Sequence, residues 1–270
     1  MGQVHGPADG SDGDPGRIVV RGETVVVSGG CGAIGGSIGQ RFAALGKRVV
    51  LLDIDIAKGA ALARQYPNVQ LVRVDLADPS ALASCLDELS AGGGAAADIL
   101  VNCVGVSPKL DADGNRLTFW TTPAGDWQRL FDINVLSYVL CTQQFVRPMI
   151  EKGYGRIVNI GSYAARTGGF QGAAHYQTMK NAILGMTRAL AREVARFGIT
   201  VNTINPGRIA TPMTADVSPE RNAEFAAAIP LGRLGVPEDI AKAAVFLASD
   251  MADYITGAAI EVNGGVYMGP

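Results

Sequence analysis

The chain has 270 residues, 48% of them apolar and 18% charged, with 23 Lys and Arg against 25 Asp and Glu for a net charge of -2. A chain of this length buries roughly three quarters of its unfolded surface, which allows one large core, and the near-neutral balance argues against a surface built for phosphate backbones. Cys31, Cys85, Cys103 and Cys141 stand far apart with only His5 and His175 to join them, and no apolar run is long enough for a bilayer, so no disulfide framework, metal site or membrane span is expected and a cytoplasmic protein is.

Residues 1–16 are rich in Gly, Asp and Pro, the composition of a disordered tail, and a folded domain is expected over 17–270. From residue 24 onward β-branched runs at 24–27, 48–52, 69–74, 99–101, 156–160, 200–204 and 259–262 alternate with helical patterns at 38–45, 57–65, 80–89, 126–151, 176–197 and 237–249. Pro79 and Pro237 stand where a first helical turn begins, and Gly46 and Gly198 where a helix ends. This alternation predicts an α/β fold, a single doubly wound Rossmann-type domain with a seven-stranded parallel sheet flanked by helices. Residues 106–125, with a lone Phe119-Trp120 pair, and 209–230, with a weak helical pattern at 220–228, interrupt the rhythm. Both follow a strand, on the edge where open α/β sheets bind ligands, and read as substrate or lid loops, ordinary variable loops being the alternative.

After the first strand comes Ser28-Gly29-Gly30-Cys31-Gly32-Ala33-Ile34-Gly35. Gly30, Gly32 and Gly35 satisfy the dinucleotide spacing, in which a bare backbone approaches a pyrophosphate at a helix N-terminus. In a chain with 35 glycines a plain tight turn is the alternative, and the flanking strand and helix favour the cofactor reading. Asp53 ends the second strand 18 residues past Gly35, the spacing of a carboxylate that hydrogen-bonds the adenosine ribose. A 2'-phosphate would meet like charge there, and neither the turn nor Ile54 supplies a cation, so NAD is expected over NADP; a solvated strand end is the other reading. Tyr176 and Lys180 stand four residues apart on one helical face. A lysine ammonium and an oxidised nicotinamide would both lower a tyrosine pKa of about 10, letting Tyr176 exchange a proton with an alcohol or carbonyl oxygen. Taken alone, the pair also fits a surface contact.

These residues, in this order over 24–266, resemble the short-chain dehydrogenase/reductase family. The glycine turn resembles the family's Thr-Gly-x-x-x-Gly-x-Gly segment, with Ser28 and Ala33 as departures, and the resemblance implies cofactor contacts from Gly29, Gly32, Ile34 and Gly35. Asp75-Leu76 resembles the pair that holds adenine. Asn102-Cys103-Val104-Gly105 resembles Asn-Asn-Ala-Gly, implying Asn102 and Gly105 beside the cofactor. Asn134 matches the helical asparagine that places a water beside Lys180, Ser162 the serine that bonds the substrate oxygen, and Tyr176 and Lys180 the Tyr-x-x-x-Lys pair, which also meets the cofactor. Pro206-Gly207-Arg208-Ile209-Ala210-Thr211 matches the segment closing over the nicotinamide, with Ile209 and Thr211 at its carboxamide.

With NAD chosen by Asp53 and charge and hydropathy arguing for neither nucleic-acid nor membrane partners, the resemblance implies an NAD-dependent enzyme that interconverts a secondary alcohol and its ketone, with a small-molecule substrate and a homotetramer packed through helices 126–151 and 176–197. Gly185, Met186, Ala189 and Ala191 either allow that helix approach or face the sheet. A 3-oxoacyl-carrier-protein reductase shares every motif, a dihydrodiol or sugar-alcohol dehydrogenase fits Asp53 equally, and a non-catalytic NAD sensor leaves Asn134, Ser162, Tyr176 and Lys180 unexplained. Paired readings stay open elsewhere: Cys103 as reactive or buried thiol, His175 as substrate-loop or capping residue, Arg208 as partner of an acidic substrate group or of a surface carboxylate, and Lys109, Phe119 and Trp120 as substrate wall or loop packing.

Overall fold

The computed structural model describes residues 18–91, 97–168, 173–212 and 217–269, so the tail expected over 1–16 lies outside the described residues. Seven strands, β1 (Thr24–Ser28), β2 (Arg48–Asp53), β3 (Val69–Arg73), β4 (Ile99–Asn102), β5 (Gly155–Ile160), β6 (Ile199–Pro206) and β7 (Ala259–Val262), form one sheet in the order β3-β2-β1-β4-β5-β6-β7. Every pairing is parallel. The order reverses between β1 and β4, which opens a crevice at the carboxyl edge of the sheet. The helices are α1 (Ala33–Ala44), α2 (Ala60–Gln65), α3 (Pro79–Ala91), α4 (Ala124–Phe131), α5 (Ser137–Lys152), α6 (Ala164–Thr167), α7 (Ala174–Val194), α8 (Pro219–Ala227) and α9 (Pro237–Ala248).

Successive strand residues point to opposite faces, and here both faces are covered. Val25, Val27, Val49 and Leu51 pack with Ile38 and Phe42 of α1 and Ile240 and Ala244 of α9. Val26, Val50 and Leu52 pack with Leu82 of α3, Phe145 and Met149 of α5, and Ala191 and Val194 of α7. Double coverage is why β1, β2 and β4 read as apolar runs without polar alternation.

The helix expected over 126–151 is interrupted. A π turn, Asp132–Leu136, joins α4 to α5, and the Ser137 N–H reaches back to the Asp132 carbonyl. One inserted residue leaves the apolar pattern almost unchanged, so periodicity does not reveal it. It places Asn134 where its carboxamide grips the backbone of Val106, accepting from the N–H at 2.9 Å and donating to the carbonyl at 2.9 Å. The short α6 was also absent from the sequence pattern, being a single turn after β5.

One polar row crosses the apolar sheet just below its carboxyl edge. Ser28, Asn102, Asn159 and Thr203 are register partners on β1, β4, β5 and β6. Asn102 Nδ2 donates to Asn159 Oδ1 at 2.9 Å and to Thr142 Oγ1 at 3.1 Å, Ser28 Oγ donates to Asn102 Oδ1 at 3.4 Å, and Asn159 Nδ2 donates to Thr187 Oγ1 at 2.9 Å. Thr187 and Thr203 hydroxyls lie 2.8 Å apart and close the row. Truncating a member strands its buried partners. Asn102→Ala is expected to lower the unfolding free energy by about 2–4 kcal/mol, read from urea denaturation; an unchanged midpoint would show the row to be dispensable.

Candidate cofactor and active site

The carboxyl edge carries a cleft of about 1080 Å³. Its floor at one end is the glycine turn. Gly29 has φ of +65°, and a Cβ there would come within 2.9 Å of the Val104 backbone. A Cβ on Gly30 would lie 2.7 Å from Leu51 Cβ, and one on Gly35 2.2 Å from the Gly29 carbonyl oxygen. The turn is therefore wedged between the loop after β4 and strand β2, a passage open to glycine alone. Gly32 faces open space instead, its nearest neighbour the Gly29 carbonyl at 3.4 Å. It caps α1 without a side-chain hydrogen bond, so the first-turn N–H groups, on the cleft wall at Ala33, Ile34 and Gly35, suit an anion. This backbone cradle fits the pyrophosphate of a dinucleotide.

Asp53 reaches the same cleft half-buried. Its Oδ2 accepts the Cys31 N–H at 3.0 Å and its Oδ1 the Asp55 N–H at 3.1 Å, which ties β2 to the glycine turn and leaves acceptor capacity on both oxygens. Lys58, on the 3-10 turn Ile56–Gly59, also lines this end. No sequence pattern around Asp53 signals this cation; a short turn doubling back after β2 brings it there, with its ammonium 3.1 Å from the Asp55 carboxylate. Asp75 and Leu76 line the wall beyond β3.

Asn102 is a correction. Its side chain is fully buried in the polar row and is absent from the cleft wall, because the residue is the last of β4 and points into the sheet. Gly105 does line the cleft, and a Cβ there would sit 3.3 Å from Lys180 Nζ and 3.5 Å from Asn134 Oδ1. Asn134 lies just behind that wall, fully buried, with both ends of its carboxamide engaged by Val106. Pro206, Gly207, Ile209 and Thr211 form the opposite wall, and Gly207 passes so close to Asn263 that a Cβ would lie 2.6 Å from its Cα.

Ser162, Tyr176 and Lys180 meet at the centre of the cleft. Ser162 leaves β5, Tyr176 and Lys180 rise from the first two turns of α7, and Ser162 hydrogen-bonds the Tyr176 hydroxyl. Burial raises the phenol above its ordinary value, and the Ser162 bond only partly offsets it. This corrects the expected lowering by Lys180. The ammonium is directed elsewhere, donating to the Ile160 carbonyl at 3.0 Å and to Tyr138 Oη at 3.3 Å, and burial brings its own pKa down to about 8. Cys103, expected as a reactive or a buried thiol, is partly exposed and lines the cleft, and desolvation pushes its thiol up to about 12, so it stands there as a neutral thiol.

His175 neither caps α7 nor lines the cleft. It is fully buried in the helix's first turn, 5.8 Å from the Trp127 ring, and among the described residues neither ring nitrogen has a partner. Phe119 packs edge-on against Trp127 at 5.6 Å while Trp120 is 83% exposed, so the aromatic pair of 106–125 is loop packing and surface, and only Lys109 from that trio reaches the cleft. Among the described residues no group of three or more His, Cys, Asp or Glu could hold a metal ion, and no helix is long and apolar enough to cross a membrane.

A family model described as enoyl-(acyl carrier protein) reductase matches residues 20–267. An uncharacterized short-chain type dehydrogenase/reductase of Sinorhizobium fredii is 36% identical over 258 residues, covering 92% of this chain and 99% of the relative. The 3-oxoacyl-[acyl-carrier-protein] reductase of Escherichia coli is 36% identical over 249 residues, 92% of this chain and 98% of its own. A 3-oxoacyl-[acyl-carrier protein] reductase from Brucella melitensis, solved with bound NAD, superposes with a TM-score of 0.83 at 32% identity and 92% coverage of both chains. With fold, cleft and relatives in agreement, the chain belongs to the short-chain dehydrogenase/reductase family, oxidoreductases that bind a nicotinamide cofactor.

Lys180 makes stability depend on pH. Between about 8, its pKa in the fold, and 10.5, its ordinary value, the unfolded chain binds more protons than the folded one, so stability rises with pH across that window. Urea unfolding is expected to show wild type gaining on Lys180→Met between about pH 7.5 and 10; parallel pH curves would mean that the ammonium keeps its ordinary value.

Proposed function

We propose that the protein is an NAD(H)-dependent dehydrogenase that interconverts a secondary alcohol and its ketone, with Tyr176 as general acid and base. The carrying observation is the hydrogen-bonded Ser162–Tyr176 pair, with Lys180 behind it, in the same cleft as the bare glycine turn and Asp53. A bound nicotinamide would supply the hydride acceptor or donor and, when oxidised, a positive charge that favours the phenolate. The chain's own groups do the rest. The turn's N–H groups and Asp53 orient the cofactor, Ser162 and Tyr176 bracket the substrate oxygen, and Tyr176 gives that oxygen a proton or takes it away. Its raised pKa keeps the phenol protonated at neutral pH, the state required for donation to a carbonyl. Lys180 and Asn134 hold the loop after β4 and the end of β5 in place behind it.

NAD is favoured by the Asp53 carboxylate at the ribose end, which a 2'-phosphate would meet at like charge, and by the pairing of Lys58 with Asp55. Six of the curated relatives carry the name 3-oxoacyl-[acyl-carrier-protein] reductase, which supports that reaction as the second reading. A homotetramer fits α7: Gly185 and Ala189 are exposed on it, and a Cβ at Gly185 would meet no neighbour within 4 Å, whereas Ala191 faces the sheet. An exposed glycine in a helix costs about 1 kcal/mol against alanine, with no gain inside the monomer.

Tyr176→Phe is expected to lower kcat by roughly a thousandfold or more while leaving NADH binding, followed by fluorescence, unchanged. Near-normal turnover would overturn the assignment, and an equal or better kcat/KM with NADP would overturn the cofactor choice.

A further inference from the structure

Among the described residues, Arg208 is the half-buried cation on the cleft wall that lacks a counter-charge. Among the described residues no carboxylate lies within ion-pairing distance of it. Its guanidinium carbon lies 3.8 Å from the Phe225 ring centroid, its Nη2 reaches Asn222 Oδ1 only at 3.5 Å, and its buried Nε has no partner among the described residues. The charged or ionisable groups that act on it are the Tyr163 phenol and a second guanidinium, Arg221. The other cations of the cleft stand differently: Lys58 is paired with Asp55, Lys180 is bound to Ile160 and Tyr138, and Lys109 and Arg129 are exposed.

This arrangement is built rather than incidental. Phe225 and Asn222 both come from α8, and Asn222 is itself fixed by donating to the Val217 carbonyl at 3.1 Å. A guanidinium held against an aromatic ring is a planar fork with part of its freedom already removed. Arg208 also belongs to the corner next to the proposed proton donor, since the Tyr163 N–H, one residue past Ser162, donates to the Pro206 carbonyl at 3.0 Å. Such a donor, partly withdrawn from water and short of acceptors, selects for a ligand that supplies two oxygens.

We propose that Arg208 is a specificity-determining residue that binds a carboxylate on the substrate, making the natural substrate a secondary-alcohol hydroxy acid or the corresponding keto acid. This rests on the dehydrogenase reading above, and it names which end of the substrate lies against α8. The carboxylate accepts two parallel N–H bonds from the guanidinium while the hydroxyl, several carbons away, meets Ser162 and Tyr176. No bond is made or broken at Arg208.

The test compares 3-hydroxybutyrate, 4-hydroxypentanoate and 5-hydroxyhexanoate with their uncharged amides, following NADH formation by wild type, Arg208→Gln and Arg208→Lys. Wild type is expected to favour at least one acid over its amide by about a hundredfold in kcat/KM. Arg208→Gln should erase that preference through KM, leave the amide's kinetics within about threefold, and Arg208→Lys should restore part of it. Equal losses on acid and amide, no acid preference in wild type, or better turnover of hydroxyacyl thioesters with an unchanged KM in Arg208→Gln would each overturn the proposal while leaving the dehydrogenase reading intact. If no compound turns over, titration calorimetry of succinate into the NADH-loaded protein decides: binding lost in Arg208→Gln and kept in Tyr176→Phe supports the carboxylate site, and absent or unaltered binding overturns it. Failure of the dehydrogenase reading shows separately, as absent NADH binding.

Discussion

The carboxamides of Asn102 and Asn159 meet at 2.9 Å inside a sheet covered on both faces by largely apolar clusters. Where both faces of a strand are buried in hydrocarbon, sliding it by one residue exchanges one apolar side chain for another, so hydrophobicity alone specifies register weakly. A directional bond in a low-dielectric interior does not tolerate that slip, because each unpaired member would lose its hydrogen bond without regaining water. The polar row therefore sets where β1, β4, β5 and β6 stop. Ser28 leads into the glycine turn, Asn102 into the loop that carries Gly105, and Asn159 is followed by Ile160, whose carbonyl receives Lys180.

The cleft inherits this alignment, and its electrostatics follow from burial. The same withdrawal from water raises the Tyr176 phenol, raises the Cys103 thiol and lowers the Lys180 ammonium, since each loses its charged form more readily in a poor solvent. Neighbouring groups then sort the three. Ser162 gives the phenol a hydrogen-bond partner, the lysine is committed to a carbonyl and a second tyrosine, and the cysteine remains a neutral filler beside them. Asp53 serves both the fold and the cleft, because the carboxylate that lines the cleft also secures the glycine turn to β2.

Much of this was legible in the residues themselves. Double coverage writes itself into the apolar runs of β1, β2 and β4, and Gly198 at φ +72° ends the α7 region where a helix stop was expected. The glycine turn was readable because it admits no side chain at Gly29, where a Cβ would come within 2.9 Å of the Val104 backbone. Asn102 was misplaced because a strand-end asparagine has the same appearance in sequence whether it points into the sheet or toward a ligand. The π turn at Asn134 was invisible because its signal is one extra residue in a helical pattern. Lys58 was overlooked because its approach depends on how a short turn folds back after β2.

By itself the sequence determined the strand and helix order, the glycine turn and the spacing of Ser162, Tyr176 and Lys180, since these depend on local backbone sterics and on periodicities of two and 3.6 residues. Only the tertiary structure decided which way each polar side chain points and what surrounds it. It turned Asn102 inward, aimed Lys180 at Ile160 instead of Tyr176, and set Arg208 on Phe225 without a carboxylate among the described residues. The reason is physical: desolvation and partner choice are properties of the packed interior, formed by residues as far apart in the chain as Ser28 and Thr203, and no local pattern carries them.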